Sequence, residues 1–344
     1  MVRLSVGRVA CDFLVLAVCA IPLLIFHEFV VPYKRGFYCD DESIRYPYRH
    51  STVTRQTLIV IGILIPTLLI LFTEVFRTLA WERKQPHLFR TYEYRDRNVH
   101  RLIVRLYVFI GYFFVGVCFN QLMVDIAKYT IGRQRPHFMD VCRPSVGYQT
   151  CPNDHKYITE FECTGKDPYL VHESQLSFYS GHSAFSFYAA WFTSLYLQAR
   201  IYRPLISRLV LPVMQFSLFG GAALVAYTRI SDYKHHWSDV LTGAIMGSVI
   251  GIFNALFVAK LFKRREIPAG AKREQNYQMD SPVVPATYNQ PTEIVIDSGT
   301  NGQRVVTFGN VQTSDGQVRA PVTAGQTPQP QQVRYSSLME GNNA

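Results

Sequence analysis

The chain has 344 residues, 48% of them hydrophobic, and a formal net charge of +10 at pH 7. Residues 266–344 are slightly acidic, so the positive charge belongs to residues 1–265, where much of it flanks long apolar segments. This distribution argues against nucleic-acid binding and against a single soluble domain. It is typical of a membrane protein whose basic loops face anionic lipid.

Six apolar segments are long enough for membrane helices, which need about 20 residues each. They lie at roughly 11–31, 57–76, 102–126, 176–197, 209–227 and 240–262. The first segment lacks a clear small-x-small cleavage site, so we interpret it as a retained signal anchor rather than a cleaved signal peptide. We therefore predict an all-α, six-span domain over residues 1–265. Residues 266–344, rich in Gln, Pro, Ser, Thr, Asn and Gly, are predicted to form a disordered cytosolic tail.

Basic residues near the ends of membrane helices mark the cytosolic side. Here they precede span one, fill the second and fourth loops, and follow span six. Both termini are therefore predicted to be cytosolic, and loops one, three and five to lie outside the cell or in a lumen. A few basic residues near the outward ends of spans three and five break this pattern and are candidates for function: Lys128, Arg133, Arg135 and Arg229.

The seven cysteines divide between the spans and the outward loops. Cys11, Cys19 and Cys118 lie within spans and are interpreted as small apolar side chains. The other four lie in outward loops, where oxidising conditions permit disulfides, and their three full pairings remain open: Cys39, Cys142, Cys151 and Cys163.

The first polar motif, K-Y-T-I-G-R-Q-R-P, ends span three at Lys128–Pro136. Lys128 and Arg135 are seven residues apart, or two helical turns, so both can face one side of an emerging helix. Pro136 is expected to break that helix. The alternative is a pair of cations that extend from the helix end toward the interface without a chemical role.

The second motif, S-F-Y-S-G-H, leads into span four. Ser180 and Gly181 allow backbone N–H groups to approach an anion at a helix start, where the helix dipole favours negative charge. His182 adds a titratable proton donor. Taken alone, this segment is more typical of a helix that begins with small residues and an interfacial histidine.

The third motif, T-R-I-S-D-Y-K-H-H-W-S-D-V, joins spans five and six. If a helix begins at His235, Asp239 lies on the same face and its carboxylate can orient the imidazole as a nucleophile or base. Arg229 has the planar set of donors that suits a phosphate or carboxylate. The alternative is a polar loop with Ser238 or Asp239 as the N-cap of the next helix.

The predicted topology brings the three motifs to one side of the membrane. Together they supply three cations, two histidines, a possible anion site at a helix start and one carboxylate, which indicates a phosphate pocket. A metal site at His182, His235 and Asp239 is the competing interpretation. Because three permanent cations would repel a divalent metal, we predict no metal and no other cofactor.

In this order and on six spans, K-x6-R-P, S-G-H and R-x5-H-x3-D resemble the type 2 phosphatidic acid phosphatase family, and within it the lipid phosphate phosphatases. The resemblance covers about residues 1–265 and implies a helical core like that of the haloperoxidases. Thr228 stands where the family often has Ser, and loop three lacks the N-glycosylation acceptor common in animal relatives. Neither departure affects the chemistry.

The resemblance implies that His235, oriented by Asp239, attacks phosphorus and forms a phosphohistidine. His182 would protonate the leaving alkoxide, and water would then release phosphate. The phosphate oxygens would be held by the remaining motif residues: Lys128, Arg135, Ser180, Gly181 and Arg229.

The implied substrates are lipid phosphate monoesters within the membrane, such as phosphatidate, lysophosphatidate, sphingosine 1-phosphate and ceramide 1-phosphate. The expected location is the plasma membrane, with an endomembrane as the alternative, and homo-oligomerisation stays open. Two other functions were considered: a phosphatase for a soluble or polyprenyl phosphate, and a catalytically silent lipid-phosphate receptor or transporter. Both histidines and Asp239 are present, which argues against the silent protein because binding alone would not need them.

Overall fold

All six predicted spans are helices in the computed structural model. It describes residues 2–3, 5–83, 89, 91–94, 97–148, 155–201, 207–264, 293–295 and 306–308. The long helices are α1 (Val6–Glu28), α2 (Arg55–Phe76), α3 (Arg101–Ile131), α6 (Gly181–Arg200), α7 (Val210–Ser231) and α8 (Trp237–Phe253). Two short helices lie between α3 and α6: α4 (Phe138–Cys142) and α5 (Pro168–Ser174). The prediction of an all-α membrane protein is confirmed.

Short elements complete the fold. A 3₁₀ turn spans Glu42–Ile44, and π-helical turns extend α2 over Arg77–Glu82 and α8 over Asn254–Val258. Strand β3 (Tyr92–Tyr94) pairs in parallel with β1 (Val2–Arg3) and antiparallel with β4 (Arg97–Val99). Strands β2 (Phe37–Tyr38) and β5 (Tyr157–Ile158) pair antiparallel and thereby join the predicted loops one and three.

Helix α6 is the centre of the helical bundle, because α2, α3, α7 and α8 all pack against it. The other five long helices are long and apolar enough to cross a membrane, judged by length and composition. Helix α6 is not among these five, since its apolar residues alternate with Ser, Thr, His and Gln. Its neighbours bury most of its residues, so the predicted fourth span tolerates polar side chains that a lipid-facing helix would not.

Glycines permit the close packing of α8 on α6. Gly243, Gly247 and Gly251 recur every four residues and therefore form one stripe on α8. A Cβ atom at Gly247 would collide with the backbone of Ala184. The starts of both helices, which carry two of the three motifs, are consequently held close together.

A buried ion network lies at the other end of α6. Arg200 Nε is 2.6 Å from Glu74 Oε1, and Arg200 Nη2 is 2.8 Å from Glu74 Oε2, which makes the pair bidentate. Arg105 donates to Glu82 at 2.5 Å, and all four side chains are at most 3% exposed. Because a buried charge is stabilised by pairing and hydrogen bonding, this network ties α2, α3 and α6 into one unit at the end away from the motifs.

The loops at the motif end pack on each other through a hydrophobic cluster that includes Phe37, Phe138 and Phe161. Within it, Cys142 and Cys163 form a disulfide. Cys39 is also disulfide-bonded, whereas Cys151 lies outside the described residues. The Cys142–Cys163 bond belongs to one of the three pairings that the sequence left open.

The chain divides into two compact units, residues 1–274 and 275–344. In the second unit, strands β6 (Glu293–Val295) and β7 (Val306–Phe308) pair antiparallel. The remainder of the tail predicted to be disordered lies outside the described residues.

Candidate active site

The second and third motifs meet where α6 and α8 begin. Ser180 is the N-cap of α6, and its backbone N–H donates to the carbonyl oxygen of Asp239 at 3.1 Å. One turn farther along α6, Ser183 Oγ donates to the carbonyl oxygen of Val240 at 2.8 Å. The two helix starts therefore form a single hydrogen-bonded unit around the predicted histidines.

His235 is buried and precedes α8 rather than beginning it. His236, in an extended conformation, is the N-cap of α8, so the prediction that His235 and Asp239 share a helical face is wrong. His235 Nδ1 lies 2.8 Å from the carbonyl oxygen of Ser177 and 3.9 Å from Asp239 Oδ2. Because a carbonyl only accepts, Nδ1 carries the hydrogen and the lone pair is on Nε2.

Asp239 acts on His235 directly, across 3.9 Å, and also through Ser177. The Ser177 hydroxyl donates to Asp239 Oδ2 at 2.5 Å, while the Ser177 carbonyl accepts from His235. Arg133 Nη1 donates to Asp239 Oδ1 at 2.5 Å, and the backbone N–H of His236 donates to Oδ2 at 3.1 Å. Asp239 is fully buried, so these donors stabilise its charge and fix its position.

The protonation state of His235 suits a nucleophile. Burial is the largest effect and lowers the pKa of His235 to about 4. The positive charges of Arg135 and Lys128 also lower this pKa, whereas Asp239 raises it by a smaller amount. At neutral pH the imidazole is therefore neutral, and the Nε2 lone pair is available for attack.

The first motif differs from its predicted geometry. Helix α3 ends at Ile131, and its C-cap, Gly132, has a left-handed φ of 57°. A Cβ atom there would also collide with the Tyr33 carbonyl, so glycine rather than Pro136 ends the helix. Arg135 thus lies beyond α3, and the prediction that it shares a helical face with Lys128 is wrong.

Lys128 and Arg135 are nevertheless brought together around Glu173. Arg135 Nη2 lies 2.6 Å from Glu173 Oε2. Burial favours the neutral acid, but Arg135 and Lys128 outweigh it and lower the pKa of Glu173 to about 2. Glu173 lies on α5, far along the chain from both cations, and no sequence motif pointed to it.

Arg229 is almost completely buried on the last turn of α7. Its Nη2 lies 3.1 Å from Asp232 Oδ2, so its guanidinium is held by a nearby carboxylate. Its carbonyl oxygen accepts from the backbone N–H groups of Lys234 and His235 at 3.0 and 3.1 Å. Arg229 therefore positions His235 through its backbone as well as offering a cation.

His182 lies on the first turn of α6, and its Nε2 is buried without a hydrogen-bond partner among the described residues. The charges of Arg229, Lys128 and Arg135 act on this imidazole, as does His235. All three motifs consequently converge on His182. Its unpartnered nitrogen is available for a ligand.

Ser180 and Gly181 have different hydrogen-bond donors available for an anion. The backbone N–H of Ser180 is used by Asp239, and Ser180 Oγ accepts from Ser183 N–H at 3.4 Å. The Ser180 hydroxyl hydrogen is still able to donate. Gly181 and His182 occupy the first helical positions, where backbone N–H groups have no partner within the helix. The backbone N–H groups left free by the described residues at this helix start are therefore those of Gly181 and His182, one residue farther along the chain than predicted; that they bind an anion stays a prediction.

Comparison with known proteins covers the same residues. The sequence matches the PAP2 superfamily over residues 109–263, which contain every motif residue. Human phospholipid phosphatase 2 is 40% identical over 265 residues, covering 77% of this chain and 87% of its own length. Rat phospholipid phosphatase 1 is 39% identical over 259 residues, covering 75% and 87%. The chain belongs to the PAP2 superfamily.

A third relative, the phospholipid phosphatase homolog 1.2 homolog of Caenorhabditis elegans, is 36% identical over 269 residues, or 74% of this chain and 78% of its own. No solved structure matches the chain. The family and these relatives identify the protein as a lipid phosphate phosphatase, as the motif resemblance implied.

Within the described part of this phosphatase, no three His, Cys, Asp or Glu side chains are grouped as metal ligands. Metal independence stays a prediction. Three residues that hold the site were not predicted from the sequence, Ser177, Glu173 and Asp232, and Arg133 was predicted only as an exception to the charge pattern. Ser177 begins the S-F-Y-S-G-H segment itself, so its position beside the motif was the one signal available for it.

We expect Ser177→Ala to lower kcat for lipid-phosphate hydrolysis by about 10- to 100-fold, the effect of losing one hydrogen bond to a charged group. The variant keeps the carbonyl that accepts from His235 but frees Asp239, so KM should change little. Steady-state kinetics in detergent micelles measure both constants. Ser183→Ala is the matched control, because it removes a hydroxyl that links the starts of α6 and α8 but does not bond to Asp239. Equal losses in the two variants would refute the positioning role.

Proposed function

We propose that this phosphatase hydrolyses phosphatidate, lysophosphatidate, sphingosine 1-phosphate and ceramide 1-phosphate through a phosphohistidine at His235. The observation that carries the proposal is the orientation of His235. Its Nδ1 donates to the Ser177 carbonyl at 2.8 Å, which leaves the Nε2 lone pair for attack. The low pKa of this histidine, about 4, keeps it neutral and nucleophilic at physiological pH.

In the proposed first step, His235 Nε2 attacks phosphorus and the bond from phosphorus to the lipid oxygen breaks. His182, protonated once the phosphate anion is bound beside it, gives its proton to the leaving alkoxide, which departs as the lipid alcohol. In the second step, water attacks phosphorus, His182 accepts a proton from that water, and the bond from phosphorus to His235 Nε2 breaks, which releases inorganic phosphate and restores the neutral imidazole. Two histidines with separate roles thus divide the reaction into two displacements.

The non-bridging phosphate oxygens would be held by Lys128, Arg135 and Arg229, the Ser180 hydroxyl, and the first backbone N–H groups of α6. Glu173 and Asp232 hold the two guanidinium groups before substrate binds, at 2.6 and 3.1 Å. Preorganised donors of this kind stabilise the charge that develops on phosphorus during transfer.

We further propose that the site faces the cell exterior or a lumen, with both termini in the cytosol, and that the protein resides in the plasma membrane. Two independent observations support this sidedness. Basic residues flank the opposite ends of the spans. The Cys142–Cys163 disulfide lies on the same side as the site, beside the segment that carries Arg135, and disulfides persist in oxidising compartments.

The proposed chemistry is tested by phosphate release from the purified protein in detergent micelles that contain phosphatidate and excess EDTA. We expect full activity, because the charge on phosphate is balanced by side chains and backbone N–H groups. A parallel reaction with added Mg²⁺ is the control. Activity that vanishes in EDTA and returns with a divalent cation would exclude the metal-free mechanism.

Sidedness is tested in intact cells that express the protein at the surface. We expect externally added lysophosphatidate to be dephosphorylated without permeabilisation. An epitope tag after residue 344 should remain hidden from antibody until detergent opens the membrane. Staining of the tag on unpermeabilised cells would contradict the topology and the placement of the active site with it.

A further inference from the structure

Among the described helices that surround α6, two neighbours do not pack closely on each other. Four helices surround α6, and three pairs of neighbours among them pack on each other: α2 with α3, α3 with α8, and α8 with α7. Helices α2 and α7 are not among the closely packed pairs of the described residues, although both pack on α6. We call the gap between them, at the level of His182 and Ser186, the α2–α7 window.

His182 and Ser186 are the α6 residues that face this window. The Phe185 side chain points toward α2, because a Cβ atom at Gly62 of α2 would meet its ring. The Ser194 carbonyl points toward α7, where it accepts a hydrogen bond from Gln215 at 3.1 Å. At about 100° per residue, His182 and Ser186 project between these two directions. Both are partly exposed, whereas residues farther along the same face are buried: Ala189, Ala190 and Thr193. The window is therefore open only beside the active site.

Unpartnered polar atoms line this opening. His182 Nε2 and, one turn later, Ser186 Oγ are buried with no hydrogen-bond partner in the residues described. Thr193 Oγ1 and Ser194 Oγ, farther along α6, are also unpartnered, so the absence of a partner is not by itself specific. What distinguishes His182 and Ser186 is their position beside the phosphate pocket, where a ligand with polar groups of its own would satisfy them.

The window is closed on its outer side. Thr52, just before α2, donates from its backbone N–H and its hydroxyl to Asp232 at 2.8 and 2.9 Å. Asp232 follows α7 and also holds Arg229. Since this tie joins the outer ends of α2 and α7, the window can open only sideways, toward lipid.

We propose that the lipid alcohol leaves, and the lipid phosphate arrives, through the α2–α7 window, with Ser186 beside the polar link between phosphate and acyl chains. The proposal rests on the proposed function, since it takes His182 as the acid. The acid must contact the leaving oxygen, so the lipid lies on the His182 side of phosphorus, away from His235. From there, the His182 face of α6 leads to Ser186 and then to the bilayer.

The test compares two substrates: a long-chain lysophosphatidate in mixed micelles, and p-nitrophenyl phosphate, which has no chain. Ser186→Phe should reduce kcat/KM for the lipid by about tenfold or more, because the ring fills the window. Turnover of the aryl phosphate should stay within about threefold of the wild-type value. Ser186→Ala is the size control and should keep the ratio of the two activities closer to that of the wild type.

Val225→Phe provides a second obstruction from α7, one turn before Arg229 on the same face. Val213→Phe places the same ring on the exposed surface of α7 and is the matched control, with no change expected. A selective loss of lipid turnover in either obstructed variant supports the window. An unchanged ratio of lipid to aryl activity in the folded variants overturns it, whereas failure of the wild type to form a phosphohistidine would instead overturn the proposed function.

Discussion

His235→Ala will abolish turnover and phosphoenzyme formation. In the proposed mechanism, the variant removes the atom that forms the covalent bond to phosphorus. His236, whose Nδ1 lies 3.2 Å from Asp239 Oδ2 and whose Nε2 is unpartnered, is the competing nitrogen that this experiment excludes. We expect kcat to fall by about 10⁴-fold or more, the scale seen when a nucleophile is deleted from a catalytic unit. Incubation with ³²P-labelled lipid phosphate, followed by an alkaline quench that preserves phosphohistidine, measures the intermediate directly.

His155→Ala is the matched control for this experiment. His155 is an exposed histidine on the same side of the protein and pairs with Asp40 away from the site, so its removal should leave labelling and turnover unchanged. Label that persists in His235→Ala at the wild-type level would assign the nucleophile to another residue.

His182→Ala will reduce activity far more for substrates with a poor leaving group than for substrates with a good one. A lipid alkoxide is a poor leaving group and needs a proton as the bond to phosphorus breaks, so we expect a loss of about 10²- to 10⁴-fold for lysophosphatidate. A nitrophenolate leaves without protonation, so formation of the phosphoenzyme from p-nitrophenyl phosphate should be much less affected. Release of nitrophenol in the first turnover, measured by rapid mixing, reports on that step alone.

The same variant tests the second role proposed for His182. If this histidine also takes the proton from the attacking water, the phosphohistidine formed from the aryl substrate should accumulate in His182→Ala. His182→Gln, which restores a side chain that forms hydrogen bonds but cannot transfer a proton, should behave like the alanine variant. Equal losses for the lipid and aryl substrates in the first turnover would contradict the division of roles between the two histidines.

Several features followed from the sequence by itself. The six long helices lie close to their predicted positions because membrane-length apolar segments are a local property of the chain. The three motifs were recognised because each holds its polar residues within about a dozen positions, and the family was identified through their order and spacing. Cys39, Cys142 and Cys163 are disulfide-bonded, as the sequence allowed, while the sidedness of their loops stays a prediction.

Only the tertiary structure decided how the site is held together. Gly132 ends α3 and His236 caps α8, so two arguments from helical spacing failed: Lys128 with Arg135, and His235 with Asp239. Sequence spacing predicts a shared face only while a helix continues. Gly132 is a local stop signal that the spacing argument did not use, whereas His236 is not a residue type that usually marks a helix N-cap.

The same reason explains the residues that the sequence left out. Ser177 contacts Asp239 across 62 positions, Arg133 contacts it across 106, and Thr52 contacts Asp232 across 180. These pairs exist because α2, α3, α7 and α8 assemble around α6. The chemistry of the site is therefore carried by short motifs that can be read along the chain, whereas its precision comes from long-range hydrogen bonds that form only when the helices pack.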